Sequence, residues 1–191
     1  ISAILGFVLT DVTVYPAAVP LFNTAEGTGA VVCVLGRTPN NPRDVVSRGT
    51  ENIIGAMIHH SVERLIVLTS MGIGASAQQV PWYVRLANAT VLSDLMSDKA
   101  RQEELVMSSG LDWTIVRPGG LTDGPRTGEY VHGYDIDATA GPISRANVAE
   151  FLLWVLREDA YRRELPVLTT REGVTIDFLH EQAAGIANRL C

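Results

Sequence analysis

The sequence predicts an α/β fold, a doubly wound and mainly parallel sheet, and three observations carry that expectation. Short runs of β-branched and apolar residues alternate with helix-length amphipathic stretches from end to end. The runs are continuously apolar rather than alternating, as suits strands buried on both faces. The intervening stretches are long enough to be right-handed βαβ crossovers.

In chain order, strands are expected at "GFVLT" (6–10), "AVVCVLG" (30–36), "RLIVLTS" (64–70), "WTIVRP" (113–118) and "LPVLTT" (165–170). A helix over about 42–60 opens at Asn41-Pro42, an N-cap followed by a first-turn proline. A second, over about 82–109, is closed by Gly110, and a third, over about 145–158, follows Ser144. In the third, Val148, Phe151, Leu152, Val155 and Leu156 form an i, i+3, i+4, i+7, i+8 stripe that must face a core. A last helix is expected from about Thr175, with Leu179, Ala183, Ile186 and Leu190 on one face. Residues 121–143, rich in Gly, Thr, Asp and Pro, form one long irregular segment, and such segments are often functional. No repeat or linker divides the chain, so residues 1–191 are read as a single domain.

Composition narrows the function. A net charge of -6 argues against a nucleic-acid binder, which needs a basic face. No apolar run approaches the roughly 18 residues of a membrane span. Two cysteines, Cys33 and Cys191, make no disulfide framework and no C-x-x-C spacing, which suits a reducing, intracellular compartment. His59, His60, His132 and His180 lack metal-ligand spacing, and no metal is expected.

Ligands of open α/β sheets bind at the carboxyl ends of the strands. Those ends read Thr10-Asp11-Val12, Leu35-Gly36-Arg37, Thr69-Ser70-Met71-Gly72 and Arg117-Pro118-Gly119-Gly120, with glycine or short hydroxyl residues leaving backbone open to a flat, polar ligand. A literal G-x-G-x-x-A occurs at Gly72-Ile-Gly74-Ala-Ser-Ala77. Its context is wrong for a phosphate loop, since Asp94 and Asp98, about 20 residues on, fall in a helix rather than at a strand end.

The segments "VVCVLGRTPNN", "SRGTENIIGAMIHHSVERLIVLTSMGIG", "DKARQEELVMSSGLDWTIVRPGGLTDGP" and "ISRANVAEFLLWVL" resemble the atypical short-chain dehydrogenase/reductases, in the NAD(P)-binding, NmrA-like branch that includes flavin reductase/biliverdin-IX-beta reductase. The resemblance runs from about residue 7 to 170. It implies a Rossmann-like sheet that binds NADP(H) or NAD(H), NADP(H) being preferred. "FVLTDVTVYPAAV" resembles the family's third strand, so the first strand, glycine loop and second strand have no counterpart, and the first βαβ unit is expected to be missing.

The resemblance also places residues. Asp11 and Val12 would border the adenine, and Leu35, Gly36 and Arg37 would pass beneath ribose and diphosphate, with Arg43 across the "TPNNP" loop. Thr69 and Ser70 would lie near the nicotinamide, Ser70 within reach of a substrate carbonyl. Lys99 would hold the nicotinamide ribose. Pro118, Gly119, Gly120 and Leu121 would form the wall against the ring, a Cβ at the glycines colliding with it. Trp82, Tyr83 and Tyr130 would stack on an aromatic substrate. Read without the family, Arg37 and Arg43 brace a loop, Ser70 caps backbone, Lys99 pairs with Glu103 at i,i+4, and Trp82 and Tyr83 pack a helix. Leu95 stands where ordinary short-chain dehydrogenases carry the acid tyrosine, so Ser70 and Lys99 are the only catalytic candidates.

The function so implied is an NAD(P)H-dependent oxidoreductase passing hydride to a conjugated, quinone- or flavin-like small molecule. The alternatives are a non-catalytic scaffold subunit and an NAD(P)H-sensing regulator. A cytoplasmic, matrix or stromal location is expected, with no nucleic-acid partner. A protein partner, or a second copy, is expected to complete the sheet beside the missing strands.

Overall fold

The computed structural model describes residues 29–38, 40–90, 92–134 and 139–170. The strand expected at 6–10, Asp11, Val12 and the helix from 175 lie outside them. The elements are β1 (Ala30–Cys33), α1 (Val45–His59), β2 (Arg64–Leu68), a 3-10 turn (Gly74–Gln79), α2 (Trp82–Ala89), α3 (Ser93–Ser108), β3 (Asp112–Pro118), β4 (Gly120–Thr122), β5 (Val131–Gly133), β6 (Pro142–Ser144), α4 (Arg145–Arg157) and β7 (Val167–Thr169).

The main sheet has the order β1-β2-β3-β7-β5. β1, β2, β3 and β7 are parallel, and β5 closes the edge antiparallel to β7. The expected adjacency of β1, β2 and β3 is therefore observed, in register Val32↔Ile66↔Thr114. β4 and β6 form a separate parallel pair that seats Gly120 beside Pro142.

Alternate strand residues divide the core, because successive side chains leave opposite faces of a sheet. Cys33, Leu65, Val67, Trp113 and Ile115 face α1 and α3, where Ile53, Met57 and Val106 meet them. Ile66, Val116 and Leu168 face α4, against its predicted stripe of Val148, Phe151, Leu152 and Val155. β1 departs from the expectation of burial on both faces. Val31, Cys33 and Leu35 join the core, while Val32 is 37% and Val34 59% exposed. No described element covers that face of β1.

Three local expectations change. The helix expected over 82–109 is two helices, and α1 starts three residues after the proline. Asn41 does not cap α1; its carboxamide accepts from the Thr38 N–H and hydroxyl instead. The orphan N–H groups of Val46 and Ser47 are taken by Asp98 of α3 at 3.0 and 3.1 Å, an anion at the positive end of the helix. Ser144 caps α4 as expected, accepting from Asn147. Asn147 in turn accepts from Thr127 and Gly128, which pins the long segment, itself holding β5, onto α4.

Candidate functional site

The carboxyl ends of β2 and β3 stay paired beyond the strands, Thr69 N–H donating to Val116 (2.9 Å) and Met71 N–H to Pro118 (2.8 Å). Beneath them lies a charged cluster that the sequence reading assigned differently. Glu103 pairs with Arg117 of β3, not with Lys99. Arg117 donates through Nε (3.0 Å) and Nη2 (2.6 Å) to the two oxygens of a carboxylate that also accepts from Thr69 Oγ1 at 2.7 Å. All three residues are buried. An arginine in the apolar run "WTIVRP" was the available signal, since a buried charge requires a partner. Its partner lies on another element, out of reach of local spacing.

Lys99 Nζ instead donates to the main-chain carbonyls of Thr69 (3.2 Å) and Leu68 (3.4 Å), so its charge sits at the mouth of β2. Burial pulls the ammonium below its ordinary pKa, opposed by the neighbouring Cys33, Glu103 and Asp98. Burial raises the Cys33 thiol. Ser70 Oγ reaches its neighbour's carbonyl, Met71 O, at 3.2 Å, a local bond of the kind a strand-end serine makes.

At the end of β1, Leu35 packs into the core, while Gly36 is exposed and a Cβ there would meet nothing within 4 Å. Arg37 Nη1 is buried without a hydrogen-bond partner. Arg43 is an exposed surface residue paired with Asp94 at 3.1 Å. At the end of β3, Pro118 and Gly119 are buried, and Leu121 packs against the core on the α4 side. Gly119 has a packing reason in the fold as well: a Cβ there would lie 2.1 Å from the carbonyl oxygen of Gly141, a close approach of backbone to backbone.

An open cleft of about 320 Å³ lies beyond β2, between the loop at Gly72, Ile73 and Gly74 and the α3 face carrying Ser93, Met96, Ser97 and Ala100, with Ala89 of α2 at its rim. Gly72 (φ 96°) and Gly74 (φ 53°) adopt left-handed backbone that suits glycine, and the Cβ position of Gly74 is 3.3 Å from Arg117 Nη2. The glycines of the literal G-x-G match thus shape a cleft wall ahead of a 3-10 turn. Trp82, Tyr83 and Tyr130 are absent from the described lining. Trp82 is 74% exposed and meets Tyr83 edge-on, whereas Tyr130 belongs to an aromatic cluster with His132 and Phe151, so the three do not form one stack. Among the described residues no group of three or more His, Cys, Asp or Glu could hold a metal, and no helix is long and apolar enough to cross a membrane.

Residues 12–159 match a family model described as NAD(P)H-binding. An uncharacterised chloroplastic protein of Arabidopsis thaliana is 32% identical over 139 residues, which are 68% of this chain and 48% of the relative, so the chain spans about half of that protein's length. Among solved structures, ChuY, an anaerobillin reductase from Escherichia coli O157:H7, superposes with a TM-score of 0.69 at 21% identity, covering 85% of this chain and 73% of that one. A short-chain dehydrogenase/reductase from Veillonella parvula DSM 2008 in complex with NADP gives 0.65 at 15% identity, with coverages of 85% and 73%. At these identities the two structures bear on the fold, which is Rossmann-like.

Proposed function

The chain belongs to the NAD(P)H-binding family, and from that premise we propose that it is an NAD(P)H-dependent oxidoreductase whose acceptor is a conjugated small molecule bound beyond β2. The observation that supports the reading is the Lys99 ammonium held against the carbonyls of Leu68 and Thr69 at the mouth of β2, from which the chain runs through Ser70 and Met71 into the glycine loop that walls the cleft. NADP(H) is the cofactor to test first, as in the Veillonella parvula complex.

The residues present fit such a cofactor. Gly36 leaves the end of β1 open to close backbone approach, and the unpartnered Arg37 Nη1 is a buried cationic donor of the kind that holds phosphate. When bound, the nicotinamide supplies hydride. The chain supplies orientation and surroundings. Lys99, held on two carbonyls and carried on the helix α3, would offer its remaining N–H to the ribose hydroxyls. Thr69, bonded to Glu103, keeps the main chain of the β2 mouth in place. The acceptor oxygen takes its proton from Ser70 Oγ or from water entering the open cleft, because a delocalised acceptor needs no strong acid at the moment of transfer. The chloroplastic relative favours an organellar location.

Calorimetric titration with NADPH and NADH tests the reading. Binding is expected, and Lys99→Ala is expected to raise Kd about tenfold, or ~1.4 kcal/mol, while turnover at saturating cofactor persists. Loss of the chemical step itself in that variant contradicts a positioning role. No binding at millimolar cofactor favours a non-catalytic scaffold.

A further inference from the structure

We propose that Glu103 is a positioning residue for the cofactor: from beneath the β2 mouth it fixes the residue on whose carbonyl the Lys99 ammonium rests. The inference rests on the placement of Lys99 against the cofactor proposed above. Lys99 and Glu103 stand at i,i+4 on α3, where a direct pair would be ordinary. Both reach Thr69 instead. Glu103 Oε1 accepts from the Thr69 hydroxyl at 2.7 Å, and Lys99 Nζ donates to the Thr69 carbonyl at 3.2 Å. The Thr69 N–H is taken by Val116 of β3 at 2.9 Å. All three polar groups of Thr69 are therefore held, from two elements, and its carbonyl cannot tilt away from Lys99 without breaking one of them. Arg117 holds Glu103 in turn, through Nε at 3.0 Å and Nη2 at 2.6 Å.

Burial decides how Glu103 can act. It is 2% and Thr69 3% exposed, so neither the carboxylate nor the hydroxyl presents itself to a ligand, and the hydroxyl is already engaged. An effect of Glu103 on the cofactor passes through Lys99. Charge adds a second route to the same residue. Burial pulls the Lys99 ammonium below its ordinary pKa, and Cys33 of β1 with Glu103 and Asp98 of its own helix oppose the fall. The Cys33 thiol is itself raised by burial, which leaves the two carboxylates as the anions beside Lys99 near neutral pH. Of the other elements around it, β2 offers carbonyls, α1 turns its N–H groups to Asp98, and β3 sends Arg117 to Glu103. Glu103→Gln removes a countercharge and leaves the guanidinium unpaired. Lys99 then gives up its proton at lower pH, and what depends on its ammonium is lost earlier as pH rises.

The test is a double-mutant cycle read as NADPH Kd by calorimetry on the full chain: the natural protein, Glu103→Gln, Lys99→Ala and the two combined. Glu103→Gln is expected to raise Kd about fivefold. In the Lys99→Ala background it is expected to add nothing, the double variant binding within about twofold of Lys99→Ala alone. Repeated from about pH 7 to 10, the titrations are expected to lose affinity at lower pH in Glu103→Gln than in the natural chain, a displacement that Lys99→Ala abolishes. A merely structural carboxylate would move neither the coupling nor the pH profile. Should Glu103→Gln fail to fold, Thr69→Val, which keeps the side chain's shape and removes its hydroxyl, carries the same cycle, and Thr69→Ser is expected to recover most of the affinity lost. Additive losses, or natural affinity and pH profile in Glu103→Gln, overturn the positioning role and leave the cofactor reading standing. A natural chain that does not bind NADPH, or unchanged affinity in Lys99→Ala, overturns the placement of Lys99 and the inference with it.

Discussion

Two glycines at strand ends separate packing from binding at the scale of single residues. Gly36 faces open space, so Gly36→Ala is expected to leave thermal stability within about 0.5 kcal/mol and to weaken NADPH binding by crowding the backbone approach. Gly119→Ala places a methyl 2.1 Å from the Gly141 oxygen, and because that contact is backbone on both sides it cannot be relieved by a rotamer change. It is expected to lower the melting temperature sharply before any effect on binding can be read. A stable Gly119→Ala protein with lost NADPH affinity restores the ligand explanation for that glycine. Arg117→Ala leaves the Glu103 carboxylate and Thr69 hydroxyl buried without their partner, and a loss of about 3–5 kcal/mol in a denaturant titration is expected. Arg126→Ala, which breaks an exposed pair with Glu150, is expected to cost at most about 1 kcal/mol.

Between elements, α4 and the strand β5 are joined by aromatic rings. His132 of β5 lies 4.7 Å from Phe151 and 5.1 Å from Trp154, centroid to centroid, and shares a 2.7 Å hydrogen bond with Tyr161 Oη. Burial lowers its pKa below the ordinary 6.5. The unfolded chain therefore binds the proton more readily than the folded one. The stability is fully present above pH 6.5 and is lost as pH falls through the folded pKa. Melting curves from pH 7.5 to 5 are expected to fall more steeply in the natural chain than in His132→Phe, which keeps a ring in the cluster and removes the titration. Parallel slopes in the two proteins contradict the assignment. The same scale explains the split of the helix expected over 82–109. Its apolar pattern is continuous enough to suggest one helix, but α2 ends at Ala89 and α3 begins at Ser93, with Thr90 Oγ1 turned back to the Leu86 carbonyl.

At the scale of the whole molecule, β1 is the end strand of the described sheet, and Val32 within it and Val34 just after it are exposed on one side. A parallel sheet is ordinarily covered on both faces, and an end strand with apolar side chains exposed invites contact with another chain. Sedimentation velocity is expected to show concentration-dependent association that Val34→Lys suppresses by placing a charge on the edge. A monodisperse monomer at high concentration, unchanged by the substitution, contradicts it.

The sequence by itself determined the α/β class, the parallel adjacency of β1, β2 and β3, the stripe of α4 and its Ser144 cap, and membership of the NAD(P)H-binding family. All but the last are local or periodic signals, written into the spacing of apolar residues and the short polar residues that stop them, while the family rests on the resemblance of whole segments. Tertiary structure decided the rest. It turned Glu103 from Lys99 to Arg117, sent Asp98 to N–H groups 52 and 51 residues away in sequence at the start of α1, set Gly119 against Gly141, and paired Asp94 with Arg43. Each of those outcomes depends on which residues meet across strands and helices. An i,i+4 rule describes a pair on an isolated helix, but a buried carboxylate goes to the partner that best replaces its lost water, and only the fold brings that partner within reach.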